Sequence, residues 1–203
     1  MRKLILLIGL LTLAGTAYAV PVTVDFVGFQ PGWWQAGYPY AATIDGGPVS
    51  DVMCDDWVHG GLPGDKWQAN FTNLGSGNLS LLRYNRLPGA LMLYDEAGWL
   101  LLQTEVTPQT QWMDINYAVW HVFDSNAPLP GNSPYWLTLA QQEANSGFPG
   151  VNFYRVGIYT PAVNQYDPDP NGPQELLTIV PERGTLLLLG SGLAVLLGCR
   201  RLT

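Results

Sequence analysis

The chain has 203 residues, with 9 basic and 16 acidic side chains and a formal net charge of −7 at neutral pH. Between residues 20 and 180 only Lys66, Arg83, Arg86 and Arg155 stand against fifteen carboxylates, a net −11, which argues against nucleic acid as a partner because phosphate backbones are bound by positive charge. Few charged residues (12%), 23 Gly, 16 Pro and abundant Trp and Tyr suit one compact extracellular module with long turns.

The N-terminus reads as a basic head, Arg2-Lys3, an apolar run over 4–13 and a small-residue stretch that ends Ala17-Tyr18-Ala19. These are the parts of a secretory signal peptide, so residues 1–19 are expected to be removed by signal peptidase after Ala19. The apolar run is shorter than the roughly 20 residues that a membrane span needs. Of the two cysteines, only Cys54 lies in the domain between the chain ends, an unpaired thiol in an oxidising compartment.

Residues 22–29 alternate and are rich in β-branched and aromatic side chains, which predicts a strand. A second strand over 40–47 enters a tight turn at Asp45-Gly46-Gly47 and returns over 48–58, placing Cys54 on or just after the returning strand. From about Leu87 the period changes, and a helix is predicted over 89–103. Thr107-Pro108 predicts the N-cap and first turn of a second helix, with Trp112, Asn116, Val119 and Phe123 on one face. A third helix is predicted from Ser133-Pro134 to about Asn145, ended by Ser146-Gly147. Residues 151–159 and 175–179 return to strand character. The expected class is α+β: a mainly antiparallel β domain over 20–178 with two or three inserted helices, an N-terminal signal peptide, and a C-terminal membrane helix within 179–203.

That last segment begins Val180-Pro181-Glu182-Arg183, continues through sixteen uncharged residues (184–199) and ends on Arg200-Arg201. The tripeptide Pro181-Glu182-Arg183, a short Leu/Gly-rich span and a terminal Arg pair resemble the PEP-CTERM sorting signal. The resemblance implies an exosortase-type membrane protease that cuts near Val180, Pro181, Glu182 and Arg183 and passes the protein to the cell envelope, surface or exopolysaccharide matrix. Leu186, Leu189, Leu193 and Leu196 would be its transient inner-membrane anchor, with Arg200 and Arg201 on the cytoplasmic side. Sixteen helical residues span roughly 24 Å, short of the roughly 30 Å hydrocarbon layer, which suits temporary residence. The same tail occurs on some ice-binding proteins, so it reports destination and not activity.

Between the signals lies an ordered series: Cys54-Asp55-Asp56-Trp57, Trp67-Gln68-Ala69, Tyr94-Asp95-Glu96-Ala97-Gly98-Trp99 and Asp114-Ile115-Asn116-Tyr117-Ala118-Val119-Trp120. Over roughly 38–124 it resembles a group of PEP-CTERM proteins and, more distantly, the thioester domains of Gram-positive surface adhesins. In those domains a Cys thiol couples to a Gln two residues before a similar Ala-Ile-Trp, giving an electrophile that reacts with surface amines. The resemblance puts Cys54 at the Cys and Asn116 at the Gln. Asn is one methylene shorter, so the expectation is a buried free thiol close to the helix of Asn116 and Trp120, without the bond.

Other constellations point to simpler roles. Asp167-Pro168-Asp169-Pro170-Asn171-Gly172 begins like a calcium loop but lacks the closing Glu, so it reads as solvated linker and no metal is expected. Asp55 and Asp56 could help a cation site or cap a turn, and the cap is the preferred expectation. Trp33, Trp34, Tyr38 and Tyr40 would stack sugar rings or pack in the core, with core packing preferred. His59 and His121 form no recognised dyad with Cys54. The function expected is therefore non-enzymatic and cofactor-free: adhesion or structure at the cell surface, with exopolysaccharide as a candidate partner. A covalent thioester adhesin and a carbohydrate-binding module, less readily an ice-binding one, stand behind it.

Overall fold

The computed structural model describes residues 20–29, 38–163 and 173–181. Ala19, Trp33, Trp34, the 167–172 loop, Glu182, Arg183, Leu186, Leu189, Leu193, Leu196, Arg200 and Arg201 lie outside these residues. No helix among the described residues is long and apolar enough to cross a membrane.

Six antiparallel strands close into a barrel: β1 (Val22–Phe29), β2 (Tyr40–Ile44), β3 (Val49–Cys54), β4 (Lys66–Asn73), β5 (Val156–Pro161) and β6 (Leu176–Ile179). Around the barrel the order is β1-β2-β3-β6-β5-β4, with β4 pairing back to β1. Three helices fill the connection from β4 to β5: α1 (Ala90–Gln103), α2 (Trp112–Phe123) and α3 (Ser133–Ser146). The fold is thus the mainly antiparallel α+β arrangement expected, now with its sheet closed.

The β2–β3 hairpin forms where Asp45-Gly46 tolerates positive φ at two successive residues (50° and 68°), the pattern of a type I′ turn. Gly28, at φ 118°, sits beside the register shift of β1 against β2, and a Cβ there would lie 2.9 Å from Pro63 Cγ. Only glycine fits that close approach and backbone.

The helices differ from expectation mainly at their starts. Pro108 is extended (ψ 144°), a short 3-10 turn covers Gln109–Gln111, and α2 begins at Trp112. The Thr107 hydroxyl, predicted as its cap, instead donates back to Gln103 O at 2.8 Å and finishes α1. α3, by contrast, begins at Ser133 as expected, with Asn132 at its N-cap, and Gly147 ends it in the left-handed conformation. β4 is a strand that the sequence pattern does not predict. The strand expected over 151–159 starts only at Val156, after a 3-10 turn at Phe153–Arg155. β6 runs to Ile179, and the Val180 N–H bonds Arg155 O at 2.8 Å, so the folded unit reaches Val180.

Two apolar clusters hold these parts together. Val24, Phe26, Tyr40, Val52, Cys54 and Leu176 pack inside the barrel, and Trp120 of α2 joins them. Tyr94, Leu100, Ile115, Val119, Ile158 and Leu177 belong to the larger cluster between helices and barrel. Because β3 and β6 alternate, Met53 and Leu177 serve that outer cluster while their neighbours Cys54 and Leu176 face the inner one.

Candidate functional site

Cys54 is the last residue of β3, 1% exposed and paired in register with Leu176 of β6. Its thiol donates to Asp56 O at 3.0 Å and receives the Asp56 N–H at 3.3 Å. Asn116, fully buried on α2, donates from Nδ2 to Cys54 O at 2.8 Å, while its Oδ1 has no hydrogen-bond partner among the described residues. The two residues aligned by the thioester-domain resemblance are brought together here, and Trp120, one helical turn further, packs with Cys54. Burial pushes the Cys54 thiol well up, and the charges of Asp56 and Asp55 push it further; the backbone of Asp56 and the Trp120 indole oppose this only in part. Cys54 is therefore a neutral thiol at physiological pH, the form that is not nucleophilic.

The two aspartates that follow part company. Asp56 caps the turn as expected, accepting the Val58 and His59 N–H groups at 3.1 Å each on Oδ1. Its Oδ2 meets His59 Nδ1 at 2.5 Å and the Arg83 guanidinium. Burial alone would raise its pKa, but the His59 hydrogen bond and the Arg83 charge win and hold it below the usual carboxylate range. Asp55 caps nothing. It is fully buried, neither carboxyl oxygen has a donor among the described residues, and Glu175 is its neighbour. Burial first, then the charge of Glu175, drives Asp55 well above the carboxylate range, and a proton on Asp55 is what lets the two carboxyls bond.

Glu175 is itself fully buried just before β6. It accepts the Tyr94 hydroxyl at 2.5 Å, the Arg83 backbone N–H at 3.0 Å and the Thr160 hydroxyl. Arg83 also donates to Pro173 O at 2.6 Å. Asp55, Asp56, Arg83, Tyr94, Thr160 and Glu175 thus tie the turn after β3 to α1, β5 and the approach to β6. Sequence reading missed Arg83 and Glu175. The available signal was a basic residue in an otherwise apolar Leu81-Leu82-Arg83-Tyr84 run, and a carboxylate set against the apolar strand Leu176–Ile179.

Above Cys54 opens a cleft of about 280 Å³ lined by Tyr40, Trp57, His59, Trp120 and Gln174 among others. Tyr38 and Tyr40 are 5% and 4% exposed, so these two are core rings and not a stacking surface. His121 is turned away to Ala127 O, at 2.8 Å from Nδ1. Among the described residues no three His, Cys, Asp or Glu side chains converge as metal ligands.

No protein-family profile matches the chain, and no characterised protein matches it in sequence. Solved structures with a similar path include the N-terminal domain of the Streptococcus pyogenes pilus tip adhesin Cpa, at 9% identity over 82% of this chain and 96% of that one, TM-score 0.48. A second is the N-terminal thioester domain of a Clostridium perfringens surface protein, in a Cys-to-Ala variant, at 14% identity over 79% and 100%, TM-score 0.48. A third is the N-terminal thioester domain of the fibronectin-binding protein SfbI from Streptococcus pyogenes, at 13% over 82% and 97%, TM-score 0.46. A likeness of that size leaves the family of this chain open.

Proposed function

We propose that this chain is an exported protein of the cell surface or exopolysaccharide matrix with a non-enzymatic adhesive or structural role. Signal peptidase would release it after Ala19, and an exosortase-type protease would process it near Pro181 to Arg183. The observation that carries the non-enzymatic reading is the state of Cys54. The nucleophile nearest the cleft is a neutral thiol bonded to the Asp56 carbonyl, beside carboxylates whose partners are other protein groups. Groups so engaged build a rigid scaffold and leave little to drive a reaction.

The test is the intact mass and peptide map of the protein recovered from the cell-surface fraction. The reading expects an N-terminus at Val20 and no tryptic peptide covering 184–200. Finding that peptide in the surface fraction would replace sorting with a permanent anchor, and finding the protein only in the cytoplasm would remove the surface role.

A covalent thioester adhesin remains the second reading, favoured by the Asn116 amide lying 2.8 Å from the Cys54 carbonyl. It requires a mass lower by one ammonia that gains the mass of one amine, with release of the Cys54 thiol, on treatment with a small amine, both features being absent in Cys54→Ala.

A further inference from the structure

Trp57, in the turn after β3, is an aromatic that the barrel core does not consume. It is 39% exposed, yet its ring rests 5.0 Å from Trp120 and 6.3 Å from Tyr117, and Tyr117 meets Trp120 edge-on at 5.0 Å. Rings packed in this way hold one another's orientation, so the exposed part of Trp57 is a fixed surface beside the cleft.

Gln174, which also lines the cleft, offers an acceptor without a donor. Gln174 is 6% exposed; its Nε2 donates to His59 O at 2.9 Å, and its Oε1 has no hydrogen-bond partner among the described residues. A buried oxygen left unpaired is costly, and a ligand hydroxyl that reaches it removes that cost.

Charge in the cleft is already spent. Asp56 is paired with the Arg83 guanidinium and hydrogen-bonded to His59, and Cys54 is a neutral thiol. An ionised ligand would shed its hydration there without gaining a counter-ion. What fits is a neutral molecule with one apolar face and hydroxyl donors at its edge.

We infer that this cleft binds a single neutral pyranose ring of a glycan, with its C–H face on Trp57 and one hydroxyl donating to Gln174 Oε1. At about 280 Å³ the cleft falls just under the roughly 300–1,000 Å³ of pockets for drug-sized ligands, which limits it to one ring with the neighbouring sugars in solvent. Such a site rests on the adhesive reading and gives it a ligand class.

The full-length protein in detergent is titrated with methyl glycosides of neutral hexoses and N-acetylhexosamines, with glucosamine and glucuronate as charged controls, reading Trp fluorescence and chemical shifts. At least one neutral glycoside binds at about millimolar Kd, weakening at least about tenfold in Trp57→Ala and largely kept in Trp57→Phe. Both variants retain the wild-type circular dichroism. The producing cell's own exopolysaccharide and unrelated neutral glycans are compared to fix the source. Absence of any neutral-glycoside binding, binding unchanged in Trp57→Ala, or tighter binding of a charged control overturns the site. Surface recovery is measured in parallel. Sugar binding without surface display keeps the site and removes the adhesive reading, whereas display without sugar binding does the reverse.

Discussion

The Asn116 side-chain amide donates to the backbone carbonyl of Cys54 at 2.8 Å, joining a helix to the end of a barrel strand through a contact 62 residues long in sequence. Asn116 is fully buried, so Asn116→Ala removes the donor without letting water replace it. The expected loss is about 1–3 kcal/mol of stability. Asn116→Gln keeps the amide but adds a methylene to a packed site, at a cost of about 1–3 kcal/mol. Urea unfolding of both variants checks this; unchanged midpoints would mean that the contact is ornamental.

Cys54 should resist thiol reagents in the native protein at pH 7.5 and react once the chain is unfolded. It is 1% exposed, and burial with two neighbouring aspartates keeps it protonated. Maleimide labelling followed by peptide mapping separates Cys54 from Cys199. Stoichiometric native labelling at Cys54 would contradict the geometry.

Stability should depend on pH through two aspartates of opposite sign. Asp55 has its pKa raised in the fold, so its contribution is complete below the unfolded value of about 3.9 and is lost as pH rises through the folded one. Asp56 has its pKa lowered, so its contribution is present above that unfolded value and is lost as pH falls. Asp55→Asn supplies a permanent donor to Glu175 and should flatten the alkaline side of a Tm-against-pH curve while leaving the acid side. A variant curve that parallels the wild type would show that Asp55 holds no extra proton.

Arg83→Ala should be among the most damaging single changes outside the apolar core. Arg83 is 6% exposed and holds Asp56 and the Pro173 carbonyl. Removing one partner of a buried pair costs about 3–5 kcal/mol, because the other is left charged and unpaired. The double change Arg83→Met with Asp56→Asn should recover part of that loss. Thermal unfolding of the single and double variants decides it; additive losses would deny the coupling.

Local signals made much of the fold legible. Asp45-Gly46 announced the hairpin, and Ser146-Gly147 announced the end of α3. Lys66–Asn73 escaped because Trp67, Ala69 and Phe71 alternate weakly among Lys, Gln and Asn, and only Ala69 and Thr72 are buried there. Thr107-Pro108 looked like a cap, but one hydroxyl can serve either the helix before it or the helix after it, and here it serves α1. The pairing of Cys54 with Asn116 was readable only through the resemblance to thioester domains. Arg83 and Glu175 meet across 92 residues, and no local pattern encodes such a contact. Closure of the sheet was hidden for the same reason, since Met53 finds Leu177 only after the helices have been crossed.

The position of β6 also fixes an order of assembly. Leaving it out of the circuit gives the open series β3-β2-β1-β4-β5, a five-strand sheet whose two free edges are the strands that β6 bridges. Synthesis runs from N- to C-terminus, so the four residues of Leu176–Ile179 arrive after every strand they must join. Until then both edges stay available for pairing with other chains, the condition under which partly made sheets exchange strands or aggregate. The same four residues carry in Gln174 and Glu175 directly ahead of them, so closing the barrel and completing the buried network around Asp55 are one event in time. A nascent chain therefore has a sheet well before it has a site.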